Sequence, residues 1–569
     1  MNNLNNSNAK QLSLLGKRWV IQENSEKLGL IEKLLKIRGV TNREAFLHPQ
    51  PIHSIHDLKD LEKAAQRIRA AIEKKERILI VGDYDADGVT ASVILYKVLK
   101  FLEAEVSVRL PNRMKHGYGL NAEFIKEAKE LGVKLIITVD NGISAKREVE
   151  LANSFGIDVV ITDHHLPPSE LPPAFAIVNP RQSDCAYAYK DLAGAGVAYF
   201  LALSLAGEKL PQDLRAELVS FAAIGTLADV CLLTGENRAI VSEGLRKISQ
   251  TKNVGLKRIL ENARIEKAVT AEDVGFRIAP RLNAAGRLED AIIAFHALSN
   301  GGGKDFADKL EKLNIERQQL TGNVSDEVEE RLGEITEEKI LIASASNWPQ
   351  GIIGLTAGKL AEKYYRPVIF MSEVAGVFTG SCRSPLPEFN ITAALNEVSD
   401  LLETFGGHRA AAGFTLREKN RAEFQQRMEA IAKRELGEVN LTPTLLLDTE
   451  ILEEELIFDL LREVTQLSPF GMGNPEPVLF WQAATLGEIR AVGNGSKHLQ
   501  IKLGKSKIPA IGFGIGNLIE ELKQRKEIDL AFVLSENEWN GKKTLQLRIV
   551  DLRGDYFPII RMRSVTRAE

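Results

Sequence analysis

Residues 77–88 read RILIVGDYDADG, and the fold turns on how this stretch is read. After Arg77 come four apolar residues, Ile78 to Val81, closed by Gly82. The run is too short for a buried helix and rich in β-branched residues, so it reads as a buried strand. Asp83, Asp85 and Asp87 follow at alternate positions. Unit charges about 4 Å apart repel by roughly 4 kcal/mol at an effective dielectric of about 20, so such a group needs protons, basic partners or a cation.

The pattern repeats on either side. EVSVRL, KLIITV, DVVIT and FAIV are further short apolar runs, separated by helical stretches such as KDLEKAAQRIRAAIEKK and AEFIKEAKELG. Strands alternating with helices predict an α/β domain with a parallel sheet. Each run ends in polar residues: PNR at 111–113, Asp140-Asn141-Gly142, Asp163-His164-His165 and Asn179-Pro180-Arg181. The carboxyl ends of strands line the ligand crevice of open α/β sheets. Asp85, Asp87, Asp140 and His164 therefore converge on one small volume. Carboxylates with an imidazole suit Mn²⁺ or Mg²⁺, and two ions need a carboxylate shared between them. Asp163 reads equally as a ligand, as a support for His164 or as a helix cap.

A chain of 569 residues exceeds what one core supports, so two to four domains are expected. Boundaries fall at a 1–56 N-terminal extension, a 57–300 α/β domain, a 301–335 connecting helix after GGGKD, a 336–445 second α/β unit, and a 446–569 C-terminal barrel. Within the second unit TAALNEVSDLLETF is expected as a helix. HLQIKLG and TLQLRIVDLR alternate as strands do, and Asn540-Gly541 signals a hairpin. Lys+Arg of 73 against Asp+Glu of 77 leaves a net charge of −4, which neither demands nor excludes nucleic acid. Cys185, Cys231 and Cys382 lack CxxC spacing, which argues against a disulfide framework and a zinc site and fits a reducing cytoplasm. No signal peptide or membrane span is evident.

VGDYDADGVTA, TVDNGIS and ITDHHLPP resemble, in order, the motifs of the DHH phosphoesterase superfamily. The resemblance continues through PNRMKHGYGLN, LAGAGVAY, GTLADV, RLNAAGRLEDA, GSCRS and FGGHRAAAGF, from about residue 18 to the barrel. It points to the branch of bacterial single-strand-specific 5′→3′ DNA exonucleases, which serve repair and recombination. The implied architecture is a parallel-sheet DHH domain, a connecting helix, a smaller α/β DHH-associated domain and an OB-like barrel.

The resemblance also implies a dinuclear manganese site, with Mg²⁺ as the alternative. Asp85 and Asp140 would hold one ion, and Asp87, Asp140, His164 and Asp229 the other, so that Asp140 bridges. His165 would face the scissile phosphate, with Asp83 and Asp163 supporting from behind. A histidine present four residues before Asp85 in the pyrophosphatase branch is Val81 here.

Arg109, Arg113 and His116 are candidates for neutralising phosphoryl charge, Arg113 in catalysis, and Tyr118 for stacking on a base. In the second unit Ser381 and Arg383, with Gly406, Gly407, His408 and Arg409, form a candidate anion pocket. The resemblance makes this unit the substrate-binding one and puts Asn283 and Arg287 at the junction of the lobes, where Arg281 is a further phosphate candidate with a salt bridge as the alternative. Together Ser381, Arg383 and Arg287 are expected to hold a 5′-phosphate. Lys497, Lys502, Lys505, Lys542, Lys543 and Trp539 mark a possible nucleic-acid face on the barrel. Expected partners are single-stranded DNA, a single-strand-binding protein and a RecQ-type helicase. The alternatives are a phosphodiesterase of short oligonucleotides or cyclic dinucleotides, against which the barrel counts, and a non-catalytic single-strand-binding replication protein, against which the crowded carboxylates count.

Overall fold

The computed structural model describes residues 12–23, 28–51, 53–113, 115–299, 302–333, 338–539, 542–554 and 560–563. The chain divides into two compact units. Residues 50–440 with 471–473 form one, and residues 1–49, 441–470 and 474–569 form the other. The first strand in chain order, β1 (Arg18–Glu23), belongs to the latter.

The larger unit opens with a parallel sheet of β2 (Arg77–Val81), β3 (Val106–Arg109), β4 (Val133–Val139), β5 (Asp158–Thr162) and β6 (Ala176–Val178), in the order β3-β2-β4-β5-β6. Alternate residues feed opposite faces. Ile78, Ile80, Ile137, Val160 and Val178 pack on one side under helices Leu61–Glu73, Ala86–Phe101, Gly194–Ala206 and Gln212–Ala228. Leu79, Val81, Ile136, Val159, Ile161 and Ile177 pack on the other, under helices Ala122–Glu130 and Lys146–Ser154. Burial on both faces explains why these strands read as continuous apolar runs. The chain leaves β2 for β3 on one flank and returns to β4 on the other, so the order reverses between β2 and β4. A crevice opens at their carboxyl ends, where Asp83 and Asp85 follow β2 and Asp140 follows β4.

Helix Gly303–Leu332 runs for 30 residues. Its first half contributes Ala307, Leu310 and Leu313 to the core of the parallel-sheet lobe. Its second half contributes Val324 and Val328 to a separate core, that of a five-stranded sheet in the order β10-β11-β9-β8-β7. These strands are β7 (Leu341–Ala345), β8 (Val368–Val374), β9 (Val377–Arg383), β10 (Leu402–Gly407) and β11 (Ala411–Arg417). The helix expected over TAALNEVSDLLETF stops early, at Glu397. Ser399 and Asp400, side chains that compete for backbone hydrogen bonds, lie in a one-turn 3₁₀ segment. The remaining LETF becomes β10, drawn into antiparallel pairing with β11.

The smaller unit holds β12 (Thr444–Leu447), β13 (Thr449–Glu450), β14 (Leu479–Val492), β15 (His498–Leu503), β16 (Ile508–Gly512), β17 (Glu527–Trp539), β18 (Lys542–Arg553) and β19 (Ile560–Arg563). The order β14-β15-β16-β18-β17 closes because β17 also pairs with β14. The result is a five-stranded barrel of OB type. Asn540 and Gly541, expected at the β17–β18 turn, lie outside the described residues. The N-terminal segment expected as an extension packs with this barrel, as β1 pairs in parallel with β12 and β19. Trp19 is its anchor. Its indole Nε1 donates to the buried Asp551 Oδ2 at 3.0 Å, its ring meets Phe480 edge-on, and Arg553, paired with Asp529 at 2.8 Å, lies against it. Among the described residues no helix is long and apolar enough to cross a membrane.

Trp19→Phe keeps the ring contact and removes the donor to Asp551. Leaving a buried acceptor unpaired should destabilise this unit by about 1–3 kcal/mol, seen as a lowered unfolding transition in calorimetry. An unchanged transition would show that the indole hydrogen bond contributes nothing.

Candidate metal centre

Two helix N-termini converge on the crevice between β2 and β4. Asp85 caps helix Ala86–Phe101, its carboxylate accepting from the Asp87 and Gly88 N–H groups at 3.0 Å each. Asp87 accepts the Gly194 N–H on Oδ2 at 2.8 Å and the Ala195 N–H on Oδ1 at 2.9 Å, both from the first turn of helix Gly194–Ala206. Orphan amides and the helix dipole favour an anion at each of these ends, which is how Asp87 stays buried. The approach leaves no room for side chains. A Cβ at Gly194 would lie 2.6 Å from Asp140 Oδ1, and one at Gly225 would lie 2.4 Å from Asp87 Oδ1. Gly194 of LAGAGVAY and Gly225 of GTLADV therefore leave the space that the carboxylates occupy.

Asp140 sits at a φ of 61°, in the left-handed region that aspartate tolerates better than most residues. His164 Nε2 lies 3.1 Å from Asp140 Oδ1, 3.7 Å from Asp229 Oδ2 and 4.0 Å from Asp87 Oδ2. Asp163 holds both histidines in place. It accepts from the N–H groups of Ile143, His164 and His165 at 3.0, 2.7 and 3.1 Å, and its Oδ1 is 2.7 Å from His165 Nδ1. Burial opposes ionisation of Asp163, but the His165 hydrogen bond and charge outweigh it and hold the carboxyl below its ordinary value. Burial likewise works against the His165 cation, yet the bond to Asp163 lifts its pKa to about 9, so the imidazole is charged at neutral pH.

The remaining groups fit divalent cations. Asp83 Oδ1, Asp140 Oδ1 and His164 Nε2 are buried and make no hydrogen bond, an arrangement that costs about 1–3 kcal/mol per group unless something else binds them. Ligating atoms of Asp83, Asp85 and Asp140 lie within 4.8 Å of one another; so do those of Asp140, His164 and His165, and those of His164, Asp229 and Cys231. Burial first, and neighbouring carboxylates second, push Asp83, Asp87 and Asp140 well above the ordinary carboxylate range. Oxygen ligands with one imidazole match Mn²⁺ or Mg²⁺. Asp140 and His164 each stand in two of the three groups. Asp83, expected behind the site, stands in one of them.

A cleft of about 550 Å³ in the second lobe is lined by Arg113, Gln350, Ser381, Arg383, Gly406 and Gly407, among others. Arg113 lies over the Tyr84 ring at 5.3 Å, linking this cleft to the carboxylate loop. Arg383 donates to Ser381 Oγ at 3.1 Å, and Arg287 reaches the Gly351 carbonyl at 3.3 Å. Burial, then the positive charges of Arg113, Arg317 and Arg383, pull Arg287 down to about 10. Asn283 Oδ1 accepts the Ala86 N–H at 2.7 Å, fixing the loop that carries Asp85. Tyr118, half exposed, donates to the Asp140 carbonyl at 2.9 Å.

Other expected residues are engaged elsewhere. Arg109 is ion-paired with Glu127, Arg281 with Glu311 at 2.6 Å, and His116 lies 3.6 Å from Glu123 while accepting the Asn112 N–H. His408 is exposed on the hairpin turn and, unlike Gly407, does not line the cleft. On the barrel, Lys502 pairs with Glu488 and Lys543 with Glu536, while Lys497 and Lys505 are exposed. The side chains of Trp539 and Lys542 lie outside the described residues.

Residues 77–226 match the DHH family, N-terminal domain; residues 337–434 match the DHHA1 domain, and 447–551 the RecJ OB domain. The chain is 39% identical to the single-stranded-DNA-specific exonuclease RecJ of Bacillus subtilis, over 92% of this chain and 67% of that one. It is 34% identical to the protein of the same name from Dickeya dadantii, over 92% and 96%. The chain belongs to the RecJ family. The fold agrees: the crystal structure of RecJ in complex with Mn²⁺ from Thermus thermophilus superposes with a TM-score of 0.81 at 31% identity, over 95% of this chain and 80% of that one. The same protein with Mg²⁺ gives 0.77.

For this RecJ-family chain two outcomes follow from the geometry. Gly225→Ala drives a methyl into the Asp87 carboxylate and should weaken Mn²⁺ binding by at least about tenfold, measured by calorimetry, with the far-ultraviolet circular dichroism unchanged; wild-type affinity would show that Asp87 has room to move. The second concerns pH. A carboxyl raised in the folded state stabilises the fold below its unfolded pKa and loses that contribution as pH climbs through the folded value. Asp140→Asn removes one such group, so in metal-stripped protein its melting temperature should exceed that of wild type by a margin that widens as pH rises above the ordinary carboxylate range. A constant margin would place the repulsion elsewhere.

Proposed function

We propose that this chain is a metal-dependent exonuclease that hydrolyses single-stranded DNA from the 5′ end, in repair and recombination. One observation carries the reading. Within a single compact unit, buried lone pairs of Asp83, Asp140 and His164 sit on one lobe, and a cleft lined by Ser381 and the half-buried Arg383 sits on the other. The two are joined through Arg113.

Asp85, Asp140, His164 and Asp229, with Asp83 and Asp87 beside them, would hold two divalent cations, which supply an acidified water and neutralise phosphoryl charge. The chain does the rest. His165, oriented by Asp163, would hold a non-bridging oxygen of the scissile phosphate, and Arg113 would neutralise the charge of the leaving strand. Arg113, Arg287 and Arg383 are close enough for each pair to feel mutual repulsion, which an anion among them relieves. A terminal phosphate has more charge and more free oxygens than an internal diester, and a guanidinium fork with a hydroxyl suits it. Ser381, Arg383 and Arg287 thereby give the enzyme its polarity. The OB barrel is proposed to follow the strand downstream, with domain limits at 57–300, 301–335, 336–445 and 446–569. A single-strand-binding protein and a RecQ-type helicase are proposed partners in the cytoplasm, because the substrate has to be an exposed single strand.

The test compares, with Mn²⁺, a 5′-phosphorylated single strand, its 5′-hydroxyl counterpart, a duplex and a cyclic dinucleotide. The phosphorylated strand should be cut fastest. Arg383→Ala should lose most of that preference while still cutting, and Asp140→Ala should lose turnover but still bind DNA. A preferred cyclic dinucleotide would overturn the proposal, and an equal 5′-phosphate preference in Arg383→Ala would remove polarity from this pocket.

A further inference from the structure

The third ligand group of the metal centre contains a thiol. Helix Gln212–Ala228 ends at Asp229, and Val230 then takes a φ of 55°, where a β-branched side chain is strained. This reversal, closed by the Cys231 N–H on the Thr226 carbonyl at 3.2 Å, folds Cys231 back so that Sγ lies 3.1 Å from Asp229 Oδ2. His164 Nε2, in a side chain nine-tenths buried and without a hydrogen bond of its own, is 3.7 Å from the same oxygen. The sulfur, nitrogen and oxygen all lie within 4.8 Å of one another.

We propose that Cys231 joins His164 and Asp229 as a ligand and makes this end of the metal centre a position that selects Zn²⁺ over Mn²⁺. The inference rests on the metal-centre reading above. Three protein ligands of mixed sulfur, nitrogen and oxygen character with an open fourth position are a zinc-binding set, whereas Mn²⁺ and Mg²⁺ favour oxygen and gain little from sulfur. On binding, the thiol proton leaves to solvent, the hydrogen bond to Asp229 is replaced by ligation, and a Zn–S bond forms. Zn²⁺ held this way competes with the ion that supports cleavage, so trace zinc inhibits the enzyme.

The experiment uses the full-length chain stripped of metal, with Co²⁺ as the probe, because a cobalt–thiolate bond has a near-ultraviolet charge-transfer band. Wild type should develop the band on titration and lose it when Zn²⁺ is added. Cys231→Ala and Cys231→Ser should lack it and bind Zn²⁺ at least about tenfold more weakly by calorimetry, with Mn²⁺ affinity within about twofold of wild type. Cys382→Ala, which alters a thiol buried in the second lobe, should keep the band. Mn²⁺ binding with no band in wild type, or a band that survives both Cys231 variants, would overturn the role of Cys231. Failure of wild type to bind Mn²⁺ as well would overturn the metal centre itself.

Discussion

Carboxylates gathered inside a protein repel one another, and everything around the crevice of this chain is arranged to hold them together regardless. Asp85 and Asp87 rest on backbone amides from two different helix starts. Asp163 is satisfied by three amides and an imidazole. Neither device removes the repulsion; both fix where it acts. What is left unmatched is a small set of lone pairs on Asp83, Asp140 and His164, facing the point where the sheet reverses its order. The close approach of helices Gly194–Ala206 and Gln212–Ala228 is part of the same arrangement, since a methyl at Gly194 or Gly225 would occupy the space of a carboxylate oxygen.

The parallel sheet and its polar strand ends were legible because burial on two faces writes itself as uninterrupted apolar runs, and a polar residue just after such a run has few places to go. Asp140, His164 and Asp85 were readable on those terms. The fate of Arg109 and His116 was not, because their carboxylate neighbours Glu127 and Glu123 come from other elements or other turns of the chain; for Arg281 a salt bridge was the open alternative to phosphate binding, and Glu311 supplies it. The role of Asp83 is not legible either, since a spacing of two along a loop says nothing about which carboxylate faces inward. Cys231 carries no ligand signal in the sequence because no second cysteine stands nearby; its neighbourhood of a histidine and an aspartate is made by the fold alone.

Secondary structure failed where tertiary pairing decided it. LETF carries no strong strand signal, yet β11 offers it an edge to join. RWVIQE near the N-terminus gains its meaning from β12 and β19, more than 400 residues away. Such pairings lie outside any local window, and so does the buried Trp19–Asp551 hydrogen bond, which ties β1 to β18.

Helix Gly303–Leu332 passes from one hydrophobic core into the next without a break. A residue added to or removed from a surface loop shifts little beyond itself. In the middle of this helix the same change turns everything downstream by about 100° and slides it by about 1.5 Å, so the arginines of the second lobe would swing away from the carboxylates of the first. The helix thus acts as a gauge between two half-sites, and its length is under a constraint that neither core imposes: drift in this segment is tolerable only in steps that bring the helix back into phase.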